Sequence, residues 1–224
     1  MEVMGCLRSG VLLTRRSEQA EHFDDPARTP EEIRAGYALL ARVNRLFRFA
    51  EPFARLIPAA LGPETCRRLT LLDVGAGDGA LGRELAAQAG RQGWRWHTTN
   101  LDLPATRAAL GGGEGFVAGT ATALPFAAGS FDVVMASQMT HHLAEADVVA
   151  HFREAWRVAR RLVVIVDLRR HPLLYLLVAA VLPALRVSGE FRRDGLLSVK
   201  RAWAPAEWTR LAAAAGLPAA ESPP

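Results

Sequence analysis

Three groups of residues in this sequence have types and spacing suited to chemistry. The first is LLDVGAGDGALG, residues 71–82, where an apolar run ends in a glycine turn and a helix signal begins. Gly75 and Gly77 let a backbone turn tightly and approach a ligand closely, and Gly79 and Gly82 allow that or close packing of the helix. The helix that follows presents free N–H groups at its first turn. The second group is a pair of acids, Asp73 just before the turn and Asp102 in NLDLP. An acid at Asp73 repels a pyrophosphate but suits a cationic amino group, and Asp102 is placed to accept hydrogen bonds from the hydroxyls of a ribose. The third is His141-His142. Imidazoles near neutral pKa can take a proton from a phenolic or enolic group. Adjacent residues on one helix diverge by about 100°, so one of the two at most is expected to face a ligand.

These groups need elements to hold them. Residues 69–74, 94–101, 115–118, 131–136 and 162–168 read as strands, and 80–90, 106–110 and 145–158 as helices. The alternation implies a parallel sheet with right-handed crossovers. The last strand is apolar almost throughout, as burial on both faces requires. Before the sheet, Thr29-Pro30-Glu31-Glu32 forms a capping box, with Ile33, Tyr37, Leu40, Asn44 and Phe47 at helical spacing behind it. A shorter helix is expected over 53–61. After the sheet, 172–187 is an apolar helix interrupted by Pro183, and Pro205 opens a last helix that Gly216 ends. The expected division is a flexible segment over 1–28, covering helices over 29–68, and a ligand-binding domain over 69–224 with a cap at 172–200.

Composition removes several classes. Half of the 224 residues are hydrophobic and 22% are charged, a globular balance. Two cysteines, Cys6 and Cys66, cannot build a disulfide framework or a four-cysteine metal site, and no histidine spacing suits a metal ligand set. A metal site is therefore not expected, and a reduced, cytoplasmic setting is. The net charge of +4 comes from 27 basic and 23 acidic residues, and Lys200 is the one lysine among the basic residues. An arginine bias of this kind follows coding composition, so nucleic acid is not expected as a partner. No glycine loop ends in Gly-Lys-Ser/Thr, which excludes a P-loop.

A glycine turn of this kind is shared by dinucleotide-binding folds and S-adenosylmethionine (SAM) methyltransferases. The segment ATALPFAAGSFDVVMASQMTHHL, residues 121–143, separates them. With its Leu124-Pro125-Phe126 turn, its Phe131-Asp132 pair and its His142-Leu143, it resembles the class I SAM-dependent methyltransferases. The resemblance covers about residues 70–168. It implies an α/β, Rossmann-like parallel sheet with N-terminal helices, and SAM as cofactor. It also implies that Gly75, Ala76 and Gly77 line the methionine part of SAM, with Asp73 beside it. Asp102 holds the ribose, and Gln138 passes near the methionine end. Where the family usually has an acid for the adenine amino group, this sequence has Thr120 and Ala121. The class usually ends in a β-hairpin. Here AGLPAAESPP shows no strand pattern, so the sequence is expected to lack it and to be of low stability or self-associating.

The outer segments FDDPARTPEEIRAGYALLARVNRLFR, DLRRHPLLYLL and DGLLSVKRAWAPAEWTRLAAAAG resemble bacterial methyltransferases encoded beside type III polyketide synthases, and the ubiquinone/menaquinone methyltransferases. The expected acceptor is a hydrophobic phenolic lipid, polyketide or quinone-like ring, with His141 or His142 as base. The apolar cap allows contact with a membrane surface, and a homo-oligomer is allowed as well. Two other readings stand beside this one: a non-catalytic SAM-fold partner protein, and a nicotinamide-dependent oxidoreductase. Neither Tyr37 nor Tyr175 pairs with Lys200 in a pattern suited to the latter.

Overall fold

The computed structural model describes residues 13–111 and 115–218. Five strands make one parallel sheet: β1 (Arg68–Val74), β2 (Arg95–Asp102), β3 (Phe116–Ala118), β4 (Phe131–Ser137) and β5 (Ala159–Val166), in the order β3-β2-β1-β4-β5. The order reverses between β1 and β4. In such sheets the crevice at the C-terminal strand ends beside this reversal is where ligands bind. Among the described residues no strand follows β5.

Side chains of β1 and β4 alternate between two cores, as the two-residue period of a strand demands. Leu69, Leu71, Val133 and Met135 meet Phe53, Ile57, Leu85 and Trp96 on one face. Leu72, Val74, Val134 and Ala136 meet Leu101, Ala155 and Val158 on the other. Helix α2 (Glu51–Leu61) packs on β5, α3 (Ala80–Arg91) on β2, and α5 (Glu145–Val158) on β4 and β5. Asp132 ties the strands at their start. It accepts from Thr70 N at 3.0 Å and Thr70 Oγ1 at 2.9 Å, and pairs with Arg160 and Arg161 of β5. Those two arginines also charge the edge strand, which discourages pairing with another chain.

Helix α1 (Pro30–Leu46) begins as the sequence predicts. Thr29 Oγ1 accepts from Glu32 N, and the Glu32 carboxylate accepts from Thr29 N at 2.8 Å. It lies against α4 (Pro104–Leu110), where Arg34 donates to the Ala109 carbonyl at 3.0 Å. The apolar cap becomes two helices, α6 (Pro172–Ala184) and α7 (Gly189–Arg201), and α8 (Pro205–Ala214) closes on α5. The sequence reading does not resolve α7.

Residues 13–28 correct one expectation. This part of the segment expected to be flexible is pinned across the molecule, and the part over 1–12 lies outside the described residues. Arg16 donates to the carbonyls of Arg201 at 2.7 Å, His141 at 2.7 Å and Leu143 at 2.8 Å. Its guanidinium also sits 4.0 Å over the Trp203 ring. The amides of His22 and Phe23 both donate to Asp194 of α7 at 2.9 Å. Polar side chains that meet partners only after folding give no local signal. The glycine break at Gly111 is present as a helix end, whereas Gly112 and Gly113 lie outside the described residues.

Candidate cofactor and acceptor site

The glycine loop leaves β1 and is fixed to β2. Gly75 N and Ala76 N both donate to the Leu101 carbonyl, at 2.8 and 3.1 Å. Gly75 and Gly77 have φ of +75° and +57°, a region that side chains rarely adopt. Space makes the same demand: a Cβ on Gly77 would meet the Tyr37 ring at 2.3 Å, and one on Gly75 would meet Met139 at 2.5 Å. The two acids sit at the C-terminal ends of adjacent strands. Asp102 accepts from Gly77 N at 2.6 Å and from its neighbour Leu103 N at 2.7 Å. Burial pushes its carboxyl up, while the Gly77 and Leu103 amides and the Thr106 hydroxyl pull it back, and the net direction is upward.

Asp73 is 1% exposed, and its Oδ2 has no hydrogen-bond partner among the described residues. Burial, then the charges of Asp102 and Asp78, raise its carboxyl to about 8. A buried carboxyl oxygen without a donor calls for a cationic or donor group from a ligand. These residues fit the methionine and ribose parts of SAM: an acid for the ammonium, a second acid for the diol, and glycines that admit close approach.

Gln138 follows β4 with φ +54°, its amide donating to Val166 O at 2.9 Å. This strained geometry turns the chain into the short turn Thr140–His142. Thr120 is exposed, its hydroxyl 3.1 Å from that of Thr122, and Ala121 offers its carbonyl to His151 Nδ1 at 3.3 Å. Thus Asp73, Gly75, Ala76, Gly77 and Asp102 come together around one loop, and Gln138 ends the neighbouring strand. Thr120 and Ala121 lie beyond β3, with Ala121 packed against the core cluster that includes Val74 and Leu101.

The histidines depart from expectation. Both rings belong to one short turn, their centroids 4.2 Å apart, and both direct Nε2 toward Glu21. His141 is buried, with Nδ1 2.6 Å from Asp167 Oδ1 and its amide donating to Oδ2 of the same carboxylate at 2.9 Å. The side chain of His142 is 26% exposed, with Nδ1 2.7 Å from Asp24 Oδ1. Burial opposes charge on Asp24, yet the His142 hydrogen bond and charge, with Arg201, hold its carboxyl down to about 2. Glu21 moves the other way: burial raises it to about 7 against His142, Ser198 and Arg201. Against the expectation of no metal ligand set, the fold brings together one candidate group among the described residues. Glu21, His141 and His142 bring three potential ligand atoms within 4.8 Å of one another. Glu21 and the histidines are some 120 residues apart, so no sequence spacing reports the group.

Tyr37, Phe23 and Met139 were also missed. Phe23 meets Tyr37 edge-on at 5.2 Å and so props that ring over Gly77. Tyr37 does stand out in the sequence, as an aromatic on the apolar face of the helix that precedes the sheet. An open cavity of about 760 Å³ is lined by Glu21 and Asp24, the acids that face the histidines, and by Tyr175, Leu196, Leu197 and Lys200 among others.

Comparison with known proteins agrees with this geometry. The profile of the methyltransferase domain family matches residues 72–166. A demethylmenaquinone methyltransferase of Roseiflexus castenholzii is 38% identical over 112 residues, 46% of this chain and 42% of the relative. The chain therefore spans under half the length of that curated relative. A SAM-dependent methyltransferase from Aquifex aeolicus superposes with a TM-score of 0.54 at 17% identity, over 84% of this chain and 88% of the other. Human N-acetylserotonin methyltransferase, in complex with SAM, gives a TM-score of 0.57 at 18% identity, over 94% and 60%. At such identities the two structures speak for fold alone. Fold, motif and profile agree on a Rossmann-like methyltransferase domain over residues 72–166. Residues 72–166 are similar to that family, and the loop residues and the two acids fit SAM as a cofactor.

Proposed function

We propose that this chain methylates a hydrophobic phenolic or quinone-like acceptor, with an oxygen as the first choice of atom and a ring carbon as the second. The observation that carries the reading is the position of His142. Asp24 orients its ring, and Asp24 and Glu21 also line the 760 Å³ cavity. That volume suits a small-molecule ligand. Its walls combine Tyr175, Leu196 and Leu197 with the cations Arg193 and Lys200 and the acids Glu21, Asp24, Asp25 and Asp194, which suits an apolar body carrying hydroxyl groups. The relative named for demethylmenaquinone supports a ring acceptor.

SAM bound on the glycine loop supplies an electrophilic sulfonium methyl. The chain's own residues do the rest. Asp73 and Asp102 hold the ligand's cationic and diol groups, and Tyr37 with Met139 keeps water from the loop. Near-attack alignment and exclusion of water are the main demands of such a transfer. His142 takes the acceptor proton at Nε2, with Asp24 fixing the tautomer through Nδ1.

Turnover of a panel of alkylphenols and hydroquinones with SAM tests this. His142→Ala is expected to lower kcat by about 10²–10⁴-fold with SAM binding retained. A chain that binds SAM and methylates none of the panel would instead be a non-catalytic partner protein.

A further inference from the structure

The turn that carries the two histidines has a need that proton transfer does not meet. Each Nδ1 faces a carboxylate oxygen, Asp167 at 2.6 Å and Asp24 at 2.7 Å, and so carries the hydrogen. Each Nε2 is then left with a lone pair, and both lone pairs point at Glu21: His141 at 3.8 Å from Oε1 and His142 at 3.9 Å from Oε2. Those separations are too long for a hydrogen bond. Glu21 is 5% exposed, and its Oε1 has no hydrogen-bond partner among the described residues. Arg201 does not fill the gap. Its Nε is 3.9 Å from Oε1, and its three nitrogens donate to the carbonyls of His141 and His142 and to Asp24.

We infer that Glu21, His141 and His142 bind one divalent transition-metal ion of the zinc class. Two bonds of about 2.1 Å span about 3.4 Å at the tetrahedral angle, so the separations of 3.8 and 3.9 Å close onto one ion with a shift of about half an ångström. Two imidazoles and one carboxylate with an open fourth position are a zinc-compatible set. Both histidines already have the carboxylate partner at Nδ1 that metal-bound histidines use to fix ring and tautomer. Charge agrees as well. Glu21 and Asp24 both face the one guanidinium of Arg201, which leaves one carboxylate in excess for a dication. Glu21, the carboxylate of the set, also lines the open cavity, which gives an ion a path to the site. A seated ion takes up the Nε2 through which His142 would accept a proton, so the loaded chain does not turn over by that route.

The inference is independent of methyl transfer and is read by binding alone. The full chain, free of SAM and acceptor, is titrated with Zn²⁺ by calorimetry and with Co²⁺ by visible absorption. One site of micromolar or tighter affinity is expected, with the intense visible bands of low-coordinate Co²⁺. His142→Ala, on a half-open side chain that can change without unfolding, is expected to weaken binding at least about 100-fold. Glu21→Gln should do the same, and Asp24→Asn should cost about 10–100-fold. His97→Ala, exposed on β2, should change nothing. Failure of chain shown folded by circular dichroism to bind either ion overturns the site. So does binding that His142→Ala and Glu21→Gln leave intact.

Discussion

At single-residue scale, Asp73 and His151 are two buried groups whose protonation burial displaces, and each gives a signed prediction. Asp73 sits near 8, so at pH 6.5 the free chain holds its proton. A cationic ammonium seated against it restores the carboxylate. Binding of SAM is therefore expected to release close to one proton at pH 6.5, measured by calorimetry in buffers of different ionisation enthalpy. No buffer dependence would remove Asp73 from the site. His151 is fully buried and burial lowers it to about 4, against an ordinary value of 6.5. The unfolded chain binds the extra proton first, so stability is complete above about 6.5 and is lost as pH falls toward 4. The loss is about 3 kcal/mol across that window, and His151→Gln should flatten it in urea titrations at several pH values. The glycine loop and its two acids were legible because they are local: a strand end, a turn and a helix start within twelve residues. Glu21, Asp24 and Tyr37 were not, because their roles arise from contacts across the fold and not from any spacing.

At the scale of elements, the strands were legible from apolar runs and the helices from caps. The drift of β5, expected over 162–168 and found over Ala159–Val166, three residues at its start and two at its end, has a physical source. Arg160 and Arg161 look like loop residues but are held in the strand by Asp132. Helix α7 was missed because Gly189 and Gly195 weaken its pattern. Gly195 is there for packing: a Cβ would meet Leu182 of α6 at 2.7 Å. The same logic governs α3 on β2. A Cβ on Gly82 would meet the β-branched Thr98 at 2.8 Å, and a strand side chain has little freedom to yield. Gly82→Ala is expected to destabilise by about 1–2 kcal/mol, overpacking outweighing the helix propensity gained. A midpoint in urea equal to or above that of the unaltered chain would show that the α3–β2 contact has slack.

Across the whole molecule, the turn His22–Asp24 joins parts that the sequence reading kept separate. Phe23 props Tyr37 over the cofactor loop, Asp24 orients His142, and Asp194 of α7 holds the turn from behind. The segment over 13–28 thus packs against the candidate site. The cap also differs from a helix sealed in the core. Along α6, Leu173, Leu176 and Leu177 are 69%, 51% and 52% exposed, flanked by the exposed Arg169 and Arg186. No helix of the described residues is long and apolar enough to cross a membrane. An apolar face with cationic flanks suits a lipid surface, from which a hydrophobic acceptor would be taken. Co-sedimentation with anionic vesicles is expected, and Leu173→Asp with Leu177→Asp should abolish it without loss of SAM binding. Equal sedimentation of both proteins would remove α6 from that role.

The central claim is that the loop between Asp73 and Asp102 holds SAM. Calorimetric titration of the purified chain with SAM, with NADH as the alternative ligand and Asp102→Ala as the second protein, tests it most directly. Saturable one-site SAM binding that Asp102→Ala weakens at least about tenfold is the predicted result, the loss of a charged hydrogen-bond acceptor being worth that much. Folded chain that takes up NADH and leaves SAM unbound would contradict it.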